Sequence, residues 1–417
     1  MLRVHRRQIK HSTSSAEQPA VAMLTAQTFS LGWLVATSAA MATRATTPSK
    51  NCVQFNVSVP VVATNKHYRQ PRVDNNIDTV NWALNFSIRT APKNNAERIL
   101  GDVDIHRSFR ISAQLCVPPE KTTKAGILQI AVNGNAWDKR YWDVQVKPEQ
   151  YSYIDAAIAK GYSILTWDRI GTGQSEIANA YDEVQLTTEI EILAGLTNLA
   201  REGKLLSSAT TTTASVAEPK PTRIVHVAHS FGAYLTYAFL LKHPTLSDAA
   251  LLSSFLPNAT QLGAVKVVTF EHDYAAHNDP ARFGRFGSGY MVPAEENALQ
   301  KLYFTKGGFD PELLTYSDKV KQPEAVSLYA SDHQIQYATS DRLFHGPVQI
   351  IVGEKDFPLC NGYCPGTFDE ANIKDIFHNA TDVQVKVLEN TAHALALHKS
   401  APAGYKLMFD FLSGHGF

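Results

Sequence analysis

Apolar and polar residues alternate in three segments near the start of the chain, residues 52–60, 80–90 and 109–117. This alternation is typical of strands that bury one face, so the pattern predicts an antiparallel N-terminal sheet. Residues 126–133 are a continuous apolar run, typical of a strand buried on both faces. Further strands are predicted at 162–167, 223–229, 249–254, 348–352 and 383–388, and helices at 150–160, 184–203 and 401–412. The alternation of strand and helix predicts an α/β fold with a mostly parallel central sheet flanked by helices.

The alternation stops between residues 258 and 346. Residues 294–303 and 322–337 have the spacing of amphipathic helices, and the segment lies between two predicted strands of the sheet. It would therefore lie over the carboxyl ends of the strands, where ligands bind in open α/β sheets. We predict a helical lid at 258–346 between two parts of the core, 43–257 and 347–417; the alternative is an insertion that only covers apolar surface. The Ser- and Thr-rich residues 206–221 predict an exposed loop.

The first 42 residues have the pattern of a targeting segment. A basic opening is followed by an apolar run at 29–42 that ends in Ala40-Met41-Ala42, which predicts a secretory signal peptide cleaved near Ala42. The run is too short for a stable membrane span. Met23 is a second candidate start, and a mitochondrial transit peptide is the alternative, because four basic residues precede any acidic one.

The glycosylation triplets and the cysteines agree with the secretory pathway. Asn-x-Ser/Thr triplets begin at four positions, Asn56, Asn85, Asn258 and Asn379. There are four cysteines, Cys52, Cys116, Cys360 and Cys364. They allow three pairings, of which we favour Cys52 with Cys116 and Cys360 with Cys364. No metal site is predicted, because no Cys-x2-Cys spacing occurs and a single histidine lies near the second pair.

The charge of the chain attracts no particular partner. Its 39 basic and 39 acidic residues give no net charge, so the composition suggests neither nucleic acid nor an anionic membrane as a partner. The sequence leaves the oligomeric state open.

The chemistry centres on Ala228-His229-Ser230-Phe231-Gly232, where a predicted strand runs directly into a predicted helix. A sharp turn of this kind holds a serine hydroxyl clear of the backbone when its flanking residues are small. We therefore predict that Ser230 is a nucleophile. The alternative is a buried serine in an ordinary strand-loop-helix connection.

Two further residues are predicted to complete a triad with Ser230. His393 follows the last predicted strand and is preferred as the base over His398, which lies at the start of the final helix. Asp356 follows the penultimate strand and is preferred over Glu354 as the residue that orients the imidazole.

An oxyanion hole needs two N–H groups directed at one developing negative charge. One is predicted to belong to Phe231, the residue after the nucleophile. The other is assigned to Asn135 in the turn after the strand at 126–133, where Gly134 permits a close approach of the backbone.

Taken together, Asn133-Gly-Asn-Ala-Trp137, Asp168-Arg-Ile-Gly-Thr-Gly-Gln-Ser175, Ala228-His-Ser-Phe-Gly232, Asp356 and His393 resemble the α/β-hydrolase superfamily over about residues 105–417. The pair Trp142-Asp143 and the Cys360–Cys364 element are similar to secreted fungal members. Two departures stand out, Asn133 where the family often has histidine and Ala228 where it often has glycine.

The resemblance implies an α/β-hydrolase fold and cleavage of an ester or related acyl bond through an acyl-serine intermediate, with no metal or organic cofactor. Aromatic and apolar residues in the predicted lid suggest a lipophilic small-molecule substrate. The alternative is a member of the same fold that does not hydrolyse, such as an acyltransferase, cyclase, lyase or binding protein.

Overall fold

The computed structural model describes residues 50–92, 94–213, 216–257, 271–331 and 343–417. The predicted signal peptide at 1–42 and Asn258 lie outside the described residues. Within them the strands are β1 (Asn51–Tyr68), β2 (Ile99–Val117), β3 (Ile127–Val132), β4 (Ser163–Trp167), β5 (Ala209–Thr212), β6 (Arg223–His229), β7 (Ala249–Ser253), β8 (His272–Tyr274), β9 (Tyr290–Pro293), β10 (Glu324–Ala325), β11 (Val348–Gly353) and β12 (Val383–Leu388).

The α-helices in the same ranges are α1 (Asn76–Ser87), α2 (Pro148–Tyr151), α3 (Tyr153–Ala159), α4 (Leu186–Glu202), α5 (Phe231–Lys242), α6 (Ala275–Asn278), α7 (Pro280–Phe283), α8 (Glu296–Tyr303), α9 (Pro311–Val320), α10 (Val326–Ala330), α11 (Phe357–Cys360), α12 (Glu370–Ile376) and α13 (Ala401–Gly414). Short 3₁₀ helices lie at Asn95–Arg98, Lys139–Tyr141 and Leu395–Leu397. None of the helices in the described part of the chain is both long enough and apolar enough to cross a membrane.

In the described part of the chain, nine strands form one sheet in the order β12-β11-β7-β6-β3-β4-β2-β1-β5. The six strands from β12 to β4 are parallel, whereas β2, β1 and β5 are added in antiparallel pairs. Every residue of β3, β7 and β11 is buried, as expected for central strands covered by helices on both faces. The predicted α/β architecture with N-terminal antiparallel strands is confirmed.

Strand β1 buries every second side chain along most of its length, which is why its sequence alternates. Cys52 lies directly opposite Cys116 on β2, and the two form a disulfide. Cys360 and Cys364 form the second disulfide, in the loop after β11. Both favoured pairings are therefore confirmed.

The strand predicted at residues 80–90 is wrong, because Asn76–Ser87 is the helix α1. The Asn75 side chain accepts a hydrogen bond from the Asp78 N–H and caps the helix. Trp82 and Phe86, four residues apart, lie on one helical face and stack with ring centroids 4.3 Å apart. Apolar residues four positions apart fit both the two-residue repeat of a strand and the 3.6-residue repeat of a helix. Here the Asn75 cap and the burial of the two rings on one face favour the helix.

Two other predictions need correction. The single helix expected at 150–160 is two short helices, because the backbone of Ser152 is extended and its side chain caps α3 by accepting from the Asp155 N–H. The exposed loop expected at 206–221 contains β5, which extends the sheet by pairing with β1 through Phe55 opposite Thr212. Threonine-rich segments favour strands when a sheet edge is available for pairing.

The insertion predicted as a helical lid contains a sheet as well as helices. Strands β8, β9 and β10 form a separate antiparallel sheet, and α6 to α10 accompany it. The helix expected at 322–337 is wrong in its described part, where β10 is followed by the short helix α10; residues 332–342 lie outside the described residues. The role of the insertion as a lid stays a prediction.

The parallel strands β6, β7, β11 and β12 all end at the same edge of the sheet. Ser230, Ser254 and Asp356 follow β6, β7 and β11 within three residues, and His393 follows β12 by five. The topology therefore collects the predicted triad at one edge.

Candidate active site

The turn between β6 and α5 holds Ser230 in an unusual backbone conformation, with φ 54° and ψ −123°. A residue other than glycine adopts such angles only when the surrounding structure enforces them. A Cβ added to Gly232 would lie 2.4 Å from the backbone oxygen of Val132, and one added to Gly134 would lie 2.8 Å from the Ser230 Cβ. Ala228 fits because it is the last residue but one of the buried strand, before the chain turns.

Ser230, His393 and Asp356 form one hydrogen-bonded chain. The Ser230 Oγ lies 2.6 Å from His393 Nε2, and His393 Nδ1 lies 2.7 Å from Asp356 Oδ2. His393 and Asp356 are buried, and the other carboxylate oxygen of Asp356 accepts from the Leu359 N–H at 2.9 Å. Because Nδ1 donates to the carboxylate, Nε2 is left as the acceptor for the serine proton. The structure thus brings together all three residues predicted as a triad.

The two rejected candidates brace the same loop instead. His398 Nε2 accepts from the Ala392 N–H at 3.2 Å and its Nδ1 donates to the Ala394 carbonyl at 2.8 Å. Burial lowers the pKa of His398 to about 4, so it stays neutral at physiological pH. Glu354 accepts from the Asn390 N–H at 2.9 Å, which fixes the loop that leads to His393.

The two N–H groups predicted as an oxyanion hole, those of Phe231 and Asn135, donate to no acceptor among the described residues. The turn that carries Asn135 is fixed from both sides. The Asn133 side chain donates to the Trp137 carbonyl at 2.7 Å, and the Asn135 side-chain oxygen accepts from Arg169 at 2.8 Å. The side chain of Asn135 is thus an anchor, and its backbone N–H is free for a ligand.

Among the described residues, no group of three or more metal-ligating side chains could hold a metal ion.

A family model described as "Alpha/beta hydrolase family" matches residues 130–405, which is about two thirds of the chain. The chain belongs to the alpha/beta hydrolase family. A comparison with curated protein sequences gives no match.

Among solved structures, the chain is similar to an esterase from Thermogutta terrifontis, with 14% identity over 74% of this chain and 94% of that chain and a TM-score of 0.48. It is also similar to a putative epoxide hydrolase from Pseudomonas aeruginosa, with 16% identity over 75% and 94% and a TM-score of 0.48. An epoxide hydrolase from Vigna radiata gives 14% identity over 73% and 95% and a TM-score of 0.46.

The segment Asp168–Ser175 supports the turn that carries Asn135 and the short 3₁₀ helix that follows it. Asp168 is fully buried, and its carboxylate accepts from the Lys139 N–H at 3.0 Å and from Lys139 Nζ at 2.6 Å. Burial raises the pKa of Asp168, whereas Lys139 opposes this shift. A Cβ on Gly173 would lie 2.3 Å from the Asp168 carboxylate, so only glycine fits there.

Arg169 and Glu189 form a buried ion pair, which the sequence did not lead us to expect, beside the two residues predicted to supply the oxyanion hole. Arg169 donates to Glu189 at 3.2 Å, and its guanidinium lies 4.7 Å from the ring centroid of Phe231. Both side chains are fully buried. Arg169 thus contacts both residues that carry the proposed oxyanion donors. Its position within the Asp168–Ser175 motif was the only signal in the sequence.

His229 lies beside His393 but is no rival base. Its ring stacks on Tyr141 with centroids 4.4 Å apart and lies 5.3 Å from the His393 ring. Burial, helped by the charge that His393 can carry, lowers the pKa of His229 well below its ordinary value. A neutral His229 packs as an aromatic ring and adds no positive charge next to His393.

The insertion contributes directly to the wall of the site. The Tyr303 ring, at the end of α8, lies 5.6 Å from the His393 ring and 4.8 Å from the Trp137 ring. Its carbonyl accepts from the Ala394 N–H at 3.0 Å, which ties α8 to the histidine loop. The insertion and the triad are therefore one packed unit here.

Proposed function

We propose that this protein is a secreted serine hydrolase that cleaves an ester, or a related acyl bond, of a lipophilic small molecule through an acyl-serine intermediate. The observation that carries the proposal is the hydrogen-bonded chain from Asp356 through His393 to Ser230, at the end of a strained strand-to-helix turn. Strain of this kind persists where the surrounding structure enforces it, commonly at functional sites.

In the proposed reaction, His393 Nε2 takes the proton of Ser230 as Oγ attacks the carbonyl carbon. The N–H groups of Phe231 and Asn135 stabilise the oxyanion. His393 then gives the proton to the leaving alcohol oxygen as the ester C–O bond breaks. Water, deprotonated by His393, cleaves the acyl-serine bond and restores the Ser230 hydroxyl. Asp356 holds the imidazole in the required tautomer throughout.

A serine nucleophile favours acyl transfer over the opening of an epoxide. Attack of a hydroxyl oxygen on an epoxide carbon would leave an ether on Ser230, and the site offers no step by which water could release it. Attack on an acyl carbon leaves an ester, which the same base can hydrolyse.

The surroundings of the site support a lipophilic substrate, and the disulfides support secretion. Trp137, Tyr141 and Tyr303 are buried around His393. Two disulfides are expected of a protein that passes through an oxidising compartment. Mitochondrial targeting is the alternative for localisation.

The second candidate is acyl transfer to an alcohol. In that reaction an alcohol replaces water as the acceptor that His393 deprotonates, and the acyl group passes to its oxygen. Product analysis with and without an added alcohol separates the two: free acid indicates hydrolysis and a new ester indicates transfer.

The deciding experiment compares Ser230→Ala with wild type on short- and long-chain aryl esters and on a fluorophosphonate probe. We expect turnover to fall by about a thousandfold or more, with labelling abolished and the fold intact. Ser207→Ala, at an exposed serine just before the edge strand β5, is the control and should label and turn over as wild type. Retention of more than a tenth of the wild-type rate in Ser230→Ala would end the proposal.

A further inference from the structure

Glu324 is a buried acid in the insertion, close in the chain to a contact with the turn that carries Asn135. It is 1% exposed and lies on β10. Two residues earlier, the Gln322 N–H donates to the Ala136 carbonyl at 2.8 Å, which docks this strand on the turn that carries Asn135. A carboxyl group is thus held next to the groups that would bind the reacting carbonyl.

One carboxylate oxygen of Glu324 accepts a hydrogen bond and the other does not. Oε2 accepts from the Tyr329 hydroxyl, and His272 Nε2 lies 3.9 Å from the same oxygen. Oε1 is buried and has no hydrogen-bond partner among the described residues. Buried polar atoms without a partner are costly and uncommon, so Oε1 is a candidate acceptor for a ligand.

Opposing effects act on the pKa of Glu324. Burial raises the pKa of its carboxyl to about 7, while the Tyr329 hydroxyl, the Arg169 guanidinium and the backbone of Ala136, whose N–H makes no hydrogen bond to either carboxylate oxygen, oppose this shift. Near neutral pH the group is therefore present both as a carboxylate, which only accepts hydrogen bonds, and as an acid.

Two residues that interact electrostatically with Glu324 also contact the predicted catalytic groups. Arg169 also binds the Asn135 side chain and stacks on the Phe231 ring. Burial and the charge of Glu324 both raise the pKa of Tyr303, whose ring lies 5.6 Å from that of His393. Glu324 thus interacts electrostatically with two residues, Arg169 and Tyr303, that lie beside the proposed oxyanion hole and base.

We propose that Glu324 and Tyr329 form a hydrogen-bonding subsite of the active site, in which Glu324 Oε1 accepts a hydroxyl or amine N–H of the substrate. The inference rests on the proposed function, because the subsite serves the same acyl bond. It refines the substrate class from a purely lipophilic ester to an ester that carries a second, hydrogen-bond-donating group. Glu324 takes no part in bond making and sets specificity.

The test uses two matched pairs of esters that differ by one hydroxyl. 4-Nitrophenyl 3-hydroxybutyrate and 4-nitrophenyl butyrate place the hydroxyl on the acyl side. 2-(4-Hydroxyphenyl)ethyl butyrate and 2-phenylethyl butyrate place it on the alcohol side. We expect wild type to prefer the hydroxylated member of at least one pair by about tenfold or more in kcat/KM, as a hydrogen bond to a charged group provides.

Three variants test the origin of that preference. Glu324→Gln replaces one acceptor oxygen by a donating amide and should reduce the preference to about threefold or less, whereas Glu324→Leu removes both oxygens and should abolish it. Glu295→Gln, an exposed glutamate of the same insertion, is the control and should keep it. No wild-type preference in either pair, or a preference unchanged in both Glu324 variants, overturns the proposal.

The pH dependence of the preference tests the role of Glu324 further, because a purely structural role would leave the preference independent of pH. Tyr329 and His272 lie beside the Glu324 carboxylate, and Arg169 and Tyr303 interact with it electrostatically. The ratio of kcat/KM within a pair cancels the pH dependence of the catalytic steps that both members share. We expect this ratio to rise from pH 6 to pH 8 in wild type, as the carboxylate forms, and to stay flat in Glu324→Gln.

Binding separates a failure of the subsite from a failure of the proposed function. The Ser230→Ala variant should bind the hydroxylated ester about tenfold more tightly than its partner when titrated by calorimetry. If wild type hydrolyses neither ester and resists the fluorophosphonate while this difference in binding persists, the serine hydrolase is wrong and the subsite stands. Equal binding of both members of each pair rejects the subsite whatever the catalytic result.

Discussion

The Ser254 hydroxyl donates a hydrogen bond of 2.6 Å to the backbone carbonyl of His393, which lies 139 residues later in the chain. Ser254 directly follows β7 and has a φ of 50°, in the left-handed region that residues other than glycine seldom adopt. It is 1% exposed. The end of β7 thus fixes the backbone of the loop that carries the proposed base, while Asp356 binds its side chain.

Removal of this hydroxyl should misplace His393 more than it destabilises the fold. We expect Ser254→Ala to lower kcat on an aryl ester by about tenfold, because small displacements of a catalytic group are costly. The free energy of unfolding should fall by only about 1 kcal/mol. Stopped-flow or steady-state kinetics and a urea titration measure the two effects.

Ser247→Ala is the matched control. Ser247 precedes β7 at its other end, and its buried hydroxyl also donates to a backbone carbonyl, that of Ala249, at 3.0 Å. It should lose comparable stability and keep the wild-type kcat. Equal losses of kcat in the two variants would show that Ser254 has no special relation to His393.

The two disulfides should differ in their effects. The backbone N–H groups of Cys360 and Gly362 donate to the Asp356 carbonyl at 3.2 Å and 3.0 Å, and the Cys364 N–H donates to the Glu354 carbonyl at 2.8 Å. Loss of the Cys360–Cys364 bond should therefore loosen Asp356 and lower kcat. By the chain-entropy estimate this short ring contributes about 2 kcal/mol, against about 4 kcal/mol for the longer loop closed by Cys52 and Cys116.

The measurement compares Tm and kcat for the double variant Cys360→Ser with Cys364→Ser and for Cys52→Ser with Cys116→Ser. The first should lose mainly turnover, and the second mainly stability. If the first melts early yet turns over at the wild-type rate, the second disulfide does not serve the Asp356 loop.

Glu324 should make the stability of the protein depend on pH. Its pKa is raised from 4.5 to about 7 by burial, so the folded state binds more protons than the unfolded state between these values. Stability is therefore present below pH 4.5 and is lost as the pH rises through 7, by at most about 3 kcal/mol. The loss reflects the cost of a buried carboxylate.

Glu324→Gln removes this titration and keeps an acceptor for Tyr329. The difference in Tm between Glu324→Gln and wild type should increase from pH 5 to pH 8 in favour of the variant. Glu295→Gln, exposed on the same insertion, should show no such trend. A difference for Glu324→Gln that is the same at both pH values would contradict the raised pKa.

Secretion is the fourth prediction. Expressed in a eukaryotic host, the mature chain should begin near Thr43 and lose mass on treatment with an N-glycosidase. Asn56, Asn85 and Asn379 are each half-buried and lie near the surface, while Asn258 lies outside the described residues. Edman sequencing and a gel shift check both points, and recovery of an uncleaved, sugar-free protein from cytosol or mitochondria would contradict the prediction.

The sequence by itself determined the parts of this protein that depend on neighbouring residues. The turn at Ser230 follows from a β-branched strand, small flanking residues and a helix in direct succession. The places of Asp356 and His393 follow from chain order, because in a parallel sheet each strand ends at the same edge. The Cys360–Cys364 pairing was favoured because the two cysteines are close in the chain.

Only the tertiary structure decided features whose partners are distant in the chain. Residues 80–90 alternate like a strand, yet burial of the Trp82 and Phe86 rings makes them helical. Neither the contact between Ser254 and His393 nor the position of Glu324 beside Ala136 leaves a local pattern, because each joins segments more than 100 residues apart. Hydrophobic periodicity reports which face of an element is buried, whereas the partner of a buried polar group is set by how the elements pack.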